Sequence, residues 1–356
     1  MRLCLELTAL LNPVQGGVGR YTRKLTEGIL RLGGDDLSVD AVYRASRRKR
    51  KAKRFADPRV RSRWVQEPIW PLFTNYDVVH GTDARVPKLG SAARIATLHD
   101  VFSLVTERFA REKFRNRMAG RYADLAQVCD HVIAVSQATK RDFLEHLDFP
   151  EDKIEVIYEG VDAQYRPHNP DETAGILEEH GIDRPFVFFL GELSVRKNVA
   201  NLVRAFAASN LRSDHLLVLA GAPTYGFDEI QQAIRECDVE SKVKLLGYAN
   251  DAELPALHAA ASVFGFPTHY EGFGLPALEA LASETPLVAG IHGAVPEIVG
   301  QHAVQVDPDD PVAIARALET ARDMDPAARA AARAHAQTFT WDRCAEQTLE
   351  VYRRFG

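Results

Sequence analysis

THYEGFGLPALEALASETP, residues 268–286, is the stretch on which the fold prediction rests. It follows an apolar run at 262–266 that predicts a buried strand, and it continues into a helical pattern with Pro276 in the first turn, where proline is tolerated. A strand, a glycine turn and a helix N-terminus form an anion site, because the first N–H groups of a helix lack intrahelical partners. Glu271 and Glu279 add hydrogen-bond acceptors. The combination suits a sugar nucleotide, which needs donors for its diphosphate and acceptors for its hydroxyls.

Strand-like and helical segments alternate on both sides of this stretch. A chain of 356 residues exceeds what one hydrophobic core usually serves, so two domains are expected. The proline-containing segment 165–171 is the predicted linker, which divides the chain into a first domain at 1–166 and a second at 171–338. The alternation predicts an α/β fold with mostly parallel sheets, whose ligands gather at the carboxyl ends of the strands and in a cleft between the domains.

The expected strands are short apolar runs that lie between helical patterns. In the first half they are residues 2–7, 39–43, 77–80, 95–98, 132–135 and 154–158, and in the second half 186–190, 216–220, 243–246, 262–266, 286–289 and 303–306.

Composition excludes several classes of protein. A formal net charge of -5 argues against a general nucleic-acid binder. The four cysteines are far apart and form no metal-ligand pattern, which favours a reducing compartment. No secretory signal and no apolar run of about 20 residues is present, so we expect a soluble or peripheral protein in the cytoplasm.

A glycine-rich loop follows the first predicted strand. Its glycines lie at Gly16, Gly17 and Gly19, which does not match the G-x-G-x-x-G spacing of dinucleotide-binding proteins. Glycine allows backbone amides to approach a phosphate closely, but many such loops are only tight turns. Both interpretations remain open for this loop.

Two further groups of polar residues follow predicted strands. His99 ends an apolar run beside Asp100, a position that favours a role in a site over that of an ordinary loop histidine. Arg196 and Lys197 lie in the turn after the first strand of the second half. They are either a solvated surface pair or a clamp for a diphosphate, and the clamp is favoured because this turn should share a sheet edge with Glu271.

Two charged segments have simpler interpretations. Asp307-Pro308-Asp309 has the form of a divalent-metal motif but precedes Pro311, so it predicts a helix N-cap. Residues 44–63 are strongly basic, with Trp64, Trp70 and Phe73 soon after. This run is either a solvated face or a docking surface for an anionic membrane or a phosphorylated acceptor.

The motifs, taken together, resemble the retaining glycosyltransferases of family 4, which have the GT-B fold of two Rossmann-like domains. The resemblance rests on segments that occur here in the family's order: GGVGRY at 16–21, His99-Asp100, VSQATKRD at 135–142, YEGVD at 158–162, Arg196-Lys197-Asn198 and EGFGLPALE at 271–279.

The resemblance implies roles for these residues. Glu271 would contact the donor sugar, Glu279 the ribose and His99 the transferred sugar near its reacting face. The diphosphate would be held without a metal by the backbone of Gly272, Phe273, Gly274 and Leu275 and by the side chains of Arg196 and Lys197, with Gly16 and Gly17 closing over the phosphates. Many members are mannosyltransferases, so GDP-mannose is the preferred donor over UDP- or ADP-sugars, no other cofactor is expected, and the acceptor would be a saccharide or a lipid-linked saccharide.

This sequence departs from the family pattern at two positions. Many members carry arginine where Glu192 stands, which leaves phosphate binding to Arg196 and Lys197, and Glu284 replaces a common glycine. The resemblance also implies that a C-terminal helix, about 341–356, packs back on the first domain.

The alternative functions are a nucleotide-sugar epimerase or phosphorylase of the same architecture, and a non-catalytic partner that kept the nucleotide site.

Overall fold

The computed structural model describes residues 1–12, 16–65 and 75–356, which form two compact units. Unit 1 comprises Met1–Glu107, Arg111–Gly160 and Thr340–Gly356. Unit 2 comprises Arg108–Ala110 and Val161–Phe339. The predicted linker at 165–171 therefore lies within unit 2, and the division between the units falls at Gly160–Val161 and again at Phe339–Thr340.

Unit 1 is built on a seven-stranded parallel sheet with strand order β3-β2-β1-β4-β5-β6-β7. The sequences of these strands are mostly apolar, because other parts of the protein cover both faces of a parallel sheet. They are β1 (Arg2–Glu6), β2 (Ser38–Arg44), β3 (Val60–Val65), β4 (Val78–Gly81), β5 (Ala93–Leu98), β6 (His131–Ala134) and β7 (Ile154–Val156).

The strand β3 was not expected, because its sequence VRSRWV lies inside the basic segment. It is an edge strand with partly exposed residues, so the apolar run that marks a central strand is missing. Arg63 of β3 pairs with the buried Asp40 of β2, at 3.4 Å between its Nε and the carboxylate. A nine-residue helical stretch, Ala45–Lys53, precedes this strand.

One helix in the first 160 residues, α4 (Gln137–His146), begins at a typical capping residue. The N-cap of α4 is Ser136, whose hydroxyl accepts a 3.0 Å hydrogen bond from the Thr139 N–H. The α-helices in the first 160 residues are α1 (Gly17–Leu32), α2 (Phe102–Val105), α3 (Glu112–Val128) and α4 (Gln137–His146).

Unit 2 is built on a six-stranded parallel sheet with strand order β10-β9-β8-β11-β12-β13. Its strands are β8 (Phe186–Leu190), β9 (Leu216–Ala220), β10 (Val243–Gly247), β11 (Val263–Phe266), β12 (Leu287–Gly290) and β13 (Val304–Val306). Its helices are α5 (Pro170–Glu179), α6 (Val199–Ala208), α7 (Phe227–Glu236), α8 (Leu254–Ala260), α9 (Leu275–Ala282), α10 (Val295–Val299), α11 (Pro311–Arg322) and α12 (Pro326–Ala336).

The helix α5 begins inside the segment predicted to be a linker. Asn169 caps it reciprocally with Glu172, and Pro170 occupies its first turn, where the missing N–H costs nothing. One of the two prolines that suggested an interdomain linker, Pro170, therefore starts a helix instead.

The last helix, α13 (Trp341–Arg353), belongs to unit 1 and packs on α1. The two helices approach so closely that a Cβ on Gly28 would lie 2.6 Å from the Cβ of Ala345. Arg31 and Asp342 form an ion pair across this contact, and the Tyr352 hydroxyl hydrogen-bonds to His80. In the described part of the chain, no helix is both long enough and apolar enough to span a lipid bilayer.

Candidate active site

Three charged side chains of unit 2 meet where β8 and β11 end. These strands are neighbours, with Val187 opposite Val263, so the loops that follow them lie side by side. Lys197 Nζ lies 2.5 Å from Glu271 Oε1, and Arg196 Nη1 lies 3.3 Å from the same oxygen. The structure therefore brings together the clamp residues and the first carboxylate of the predicted site.

The backbone of the two loops is held together by a network around Asn198. This residue lies in the left-handed region with φ of 58° at the start of α6, a conformation that asparagine tolerates better than most residues. Its side-chain amide donates to the carbonyls of Pro267 and Pro308 at 2.9 and 2.6 Å. The His269 N–H donates to the Arg196 carbonyl at 3.0 Å, which joins the loops directly. Asn198 thus acts as a positioning residue.

Close backbone contacts at glycine residues fix the position of the loop that carries Glu271. A Cβ on Gly293, whose φ is +66°, would lie 2.6 Å from the Glu271 carbonyl oxygen. The Ala294 N–H donates to that carbonyl at 2.9 Å. Gly274, with φ of +99°, turns the chain into α9. Because the loops after β11 and β12 approach each other this closely, only glycine fits at position 293.

Electrostatics keep the cluster ionic despite its burial. Burial acts to raise the pKa of Glu271, but Lys197 and Arg196 outweigh it, so the pKa lies below its usual value. Burial also lowers the pKa of Lys197, against the opposing charge of Glu271. An anionic carboxylate shared by two cations is the state that this geometry favours.

The remaining predicted residues of unit 2 lie in or beside α9. Gly272, Phe273, Gly274 and Leu275 are buried and lead into the first turn of this helix. Glu279 lies further along α9 and is 2% exposed, with its Oε2 at 3.7 Å from His258 Nε2. His258 itself is fully buried, so Glu279 lies in the interior of unit 2. The sequence interpretation did not include His258.

His99 lies at the carboxyl edge of the sheet in unit 1 and is held at both ring nitrogens. Nδ1 is 3.1 Å from Glu159 Oε1, and Nε2 is 2.9 Å from the Thr82 carbonyl oxygen. The ring stands edge-on to Tyr21 at 4.7 Å between centroids. Burial acts to lower the pKa of His99, but the hydrogen bond and charge of Glu159 outweigh it, with help from Thr82 and Asp83, and raise the pKa above its usual value.

Gly16 and Gly17 lie at the start of α1, also in unit 1. Gly16 is the N-cap residue, and both glycines are exposed. A Cβ on Gly16 would meet none of the described residues within 4 Å, so packing against them does not require glycine there. Residues 13–15 of the same loop lie outside the described residues.

Two positioning residues, Asn198 and Glu159, were not assigned a role from sequence. Both belong to motifs that carried the family resemblance, at 196–198 and 158–162, and this membership was the signal that could have found them. Their partners are distant in sequence: Glu159 reaches His99, and Asn198 reaches Pro308.

The aspartates at 307–310 form a helix start. Asp310 caps α11 by accepting from the N–H groups of Val312 and Ala313, at 2.9 and 3.0 Å. Within residues 1–12, 16–65 and 75–356, no group of three or more His, Cys, Asp or Glu side chains has the arrangement of a metal site.

Glu192, one of the two departures from the family pattern, lies close enough to Lys197 to favour the charged form of that lysine.

Comparisons with known proteins identify the class of enzyme. The sequence profile of Glycosyltransferase Family 4 matches residues 15–165, and the profile of Glycosyl transferases group 1 matches residues 175–338. The O-antigen chain mannosyltransferase B of Escherichia coli is 28% identical over 294 residues, which cover 80% of this chain and 76% of that protein.

Solved structures share the fold over almost the whole chain. Sucrose-phosphate synthase from Thermosynechococcus elongatus superposes with a TM-score of 0.79 at 21% identity and covers 99% of this chain and 98% of its own. Anabaena HepE in complex with UDP and glucose superposes with a TM-score of 0.75 at 20% identity and covers 99% of both chains. With two parallel α/β sheets and matches along both halves, the chain belongs to glycosyltransferase family 4, is a glycosyltransferase and has the GT-B fold.

Proposed function

We propose that this enzyme transfers a hexose with retention of anomeric configuration from a nucleotide diphosphate sugar to a hydroxyl of a saccharide or lipid-linked acceptor, without a metal. The observation that carries the proposal is the buried cluster of Glu271, Lys197 and Arg196. The two cations outnumber the one carboxylate that they share, so the cluster favours the approach of a second anion.

The cluster suits the charges that develop during transfer. As the bond between the sugar's anomeric carbon and the β-phosphate oxygen breaks, the electron pair stays on the leaving phosphate, and Lys197 and Arg196 stabilise that charge. The acceptor oxygen attacks from the same face, and its proton passes to the leaving phosphate. Glu271 accepts hydrogen bonds from hydroxyls of the donor sugar, and Glu279 from the ribose.

His99, Gly16 and Gly17 complete the proposal from unit 1. His99 would contact the transferred sugar near its reacting face, with its ring held in one orientation by the hydrogen bonds of both its nitrogens to Glu159 and Thr82. The exposed glycines at the start of α1 leave the space that a phosphate needs to approach the backbone.

Mannose from GDP-mannose is our first choice of donor. The Escherichia coli relative, an O-antigen chain mannosyltransferase, supports this choice, whereas the solved HepE complex contains UDP. A screen of GDP-, UDP- and ADP-sugars by thermal shift, followed by product analysis with an acceptor mixture, tests it. We expect the largest stabilisation and turnover with GDP-mannose, and preferential turnover of a UDP-sugar would overturn the choice.

Substitution at the cluster tests the transfer chemistry itself. We expect Lys197→Ala and Glu271→Ala to remain folded and to lose at least about 10²-fold in turnover, because each removes a group that meets transition-state charge or sugar hydroxyls. Lys153→Ala, at an exposed lysine of unit 1, is the matched control and should keep full activity. Unchanged turnover in both cluster variants would contradict the proposed site, and activity that disappears with a chelator would contradict the metal-free mechanism.

We also propose that the basic segment 44–63 docks the enzyme on the anionic inner face of the membrane. Several of its cations already have partners in the protein, such as Arg59 with Asp57 and Arg63 with Asp40, whereas Arg48 and Lys49 are exposed. Each basic residue near such a surface contributes about 1 kcal/mol. Arg48→Glu with Lys49→Glu should release the protein from anionic vesicles, and unchanged binding of that double variant would refute the proposal.

A further inference from the structure

A cavity of about 1030 Å³ lies in unit 1, between α3 and the carboxyl ends of the first strands. Its lining includes Glu6 at the end of β1, Arg44 at the end of β2 and the loop at 84–88 that follows β4. This volume is in the range of small-molecule sites, and apolar side chains such as Val42 and Leu125 supply part of the wall. None of the donor-site residues described above lines it.

The charge of this cavity is strongly unbalanced. Among the described residues that line it, five are cationic, Arg44, Arg85, Lys88, Arg117 and Arg121, and two are acidic, Glu6 and Asp124. Burial raises the pKa of Glu6 to about 7, with a smaller contribution from Asp83 and against the charge of Arg44, so this carboxyl is only partly ionised near neutrality. Burial lowers the pKa of Arg121, the sign of a cation that has lost part of its water.

A glycine in the middle of a helix adds an independent observation. Gly120 lies in the interior of α3, where glycine costs about 1 kcal/mol relative to alanine. Among the described residues, a Cβ at this position would meet nothing within 4 Å, so none of them explains the glycine by packing. Gly120 lines the cavity, as do Arg117 and Arg121 of the same helix.

A buried carboxyl group also belongs to the cavity lining. Glu6 is 3% exposed, and its Oε2 has no hydrogen-bond partner among the residues that the structure describes. Its other oxygen receives a hydrogen bond from Thr8 and lies 3.7 Å from Arg44 Nε. Burying a carboxyl oxygen without a hydrogen-bond donor destabilises the fold, and a sugar hydroxyl would supply such a donor.

From this arrangement we propose that the cavity binds an acceptor that carries a phosphate group on a hydroxylated ring. The arginines on α3 would hold the phosphate, and Glu6 would accept a hydrogen bond from a ring hydroxyl. A phosphate is favoured over a carboxylate because several cations surround the space and guanidinium groups match its geometry. The inference rests on the proposed function in that it identifies the ligand as the acceptor.

The location within unit 1 agrees with an acceptor site. The Thr82 hydroxyl donates to the Glu6 carbonyl at 2.8 Å, and the Thr82 carbonyl contacts His99 Nε2 at 2.9 Å. A single residue, Thr82, therefore connects Glu6 in the cavity wall to the histidine that is proposed to contact the transferred sugar. A ring seated against Glu6 would lie at the same sheet edge as His99.

Calorimetric titration of the full-length protein with glucose 1-phosphate tests the proposal, with glucose and glucuronate as neutral and carboxylate probes. We expect glucose 1-phosphate to bind more tightly than either. Gly120→Leu, which fills the space, and Arg121→Gln, which removes one charged donor, should each weaken binding about tenfold or more. Gly175→Leu is the matched control, because Gly175 is also a helix-interior glycine with nothing within 4 Å of a Cβ, and it lies in α5 of unit 2.

Two results would overturn the proposal. One is that Gly120→Leu and Arg121→Gln, both verified as folded by circular dichroism, bind glucose 1-phosphate as the wild type does. The other is that glucose or glucuronate binds as tightly as the phosphate. Lys197→Ala separates this site from the donor site, since binding of glucose 1-phosphate that disappears in this variant belongs to the donor cluster and also overturns the proposal.

A lipid-linked probe distinguishes the two sources of such a phosphate. Octyl glucosyl phosphate carries the same ring and phosphate on a short alkyl chain, so tighter binding than glucose 1-phosphate indicates a lipid-linked acceptor, and weaker binding indicates a free sugar phosphate. Failure of the proposed function would appear separately, as the absence of thermal stabilisation by every nucleotide sugar, and would leave these binding results unchanged.

Discussion

The two sheet edges that carry the candidate residues hold charge in different ways. In unit 2, one buried carboxylate, Glu271, is shared by two cations at 2.5 and 3.3 Å. In unit 1, His99 pairs with Glu159 at 3.1 Å, and neutral hydrogen bonds surround it, such as Tyr21 to Thr97 at 2.9 Å. The first edge is suited to exchanging one anion for another, whereas the second is suited to holding one ring in a fixed orientation.

The largest expected effect is on the charge cluster. Glu271→Gln should lower the free energy of unfolding by about 3–5 kcal/mol, because it leaves Lys197 and Arg196 buried without a counter-charge. Urea unfolding measures this, with Glu179→Gln, at an exposed glutamate of α5, as the control. A loss below about 1 kcal/mol would show that the two cations do not depend on this carboxylate.

The loop network of unit 2 should give the next effect. Asn198→Ala removes two hydrogen bonds to backbone carbonyls and places alanine at φ of 58°, so we expect a loss of about 2–4 kcal/mol. Asn198→Gly keeps the backbone conformation and should recover about 1 kcal/mol of that loss. The pair Asp238→Ala and Asp238→Gly, at an exposed residue with φ of 52°, measures the backbone contribution alone. Equal stability of Asn198→Ala and the wild type would remove Asn198 as a positioning residue.

His80 should produce a smaller effect that depends on pH. Burial, with help from His99, lowers the pKa of His80 to about 3, so the unfolded chain binds a proton there that the folded protein does not. Its contribution to stability is complete above about 6.5 and falls by about 1.4 kcal/mol per pH unit as the pH decreases toward 3. The stability difference between the wild type and His80→Gln should shrink by that amount per unit between pH 6 and 4. A constant difference would contradict a neutral buried histidine.

The smallest effect should come from Glu159, and it has the opposite sign. The raised pKa of His99 means that the folded protein holds the proton more tightly than the unfolded chain. The stability that His99 gains is therefore complete below about 6.5 and is lost as the pH rises through the folded pKa. In Glu159→Gln the NMR titration of His99 should move to lower pH, while Glu155→Gln, at a half-buried residue of β7, should leave it in place. An unshifted titration in Glu159→Gln would show that Glu159 does not hold the proton on His99.

Much of the fold could be predicted from the sequence because buried parallel strands are short apolar runs. The run at 263–266 predicted β11, and similar runs predicted its neighbours. The edge strand β3 and the helix α5 were missed, since an edge strand tolerates the arginines of VRSRWV and the prolines near 170 suggested a linker rather than a helix start. The match with known glycosyltransferases confirmed the fold class and the type of enzyme.

The site divides in the same way. Arg196, Lys197 and Glu271 could be named from motif spacing and from the rule that ligands gather at the carboxyl edge of parallel sheets. That both cations share one oxygen of Glu271 could not be predicted, because it depends on distances between loops more than 70 residues apart in the chain. The cavity beside Gly120 gave no sequence signal, because its cations are spread over three separate segments.

By itself, the sequence determined the alternation of strands and helices, the glycine turn at the end of β11, and the types of charged group available at each turn. These are local properties, set by backbone conformation and side-chain chemistry within a few residues. Only the tertiary structure decided which of those groups meet, which are buried and which protons they hold. The physical reason is that ion pairing and desolvation depend on distance and on exclusion of water, which the packing of both sheets creates.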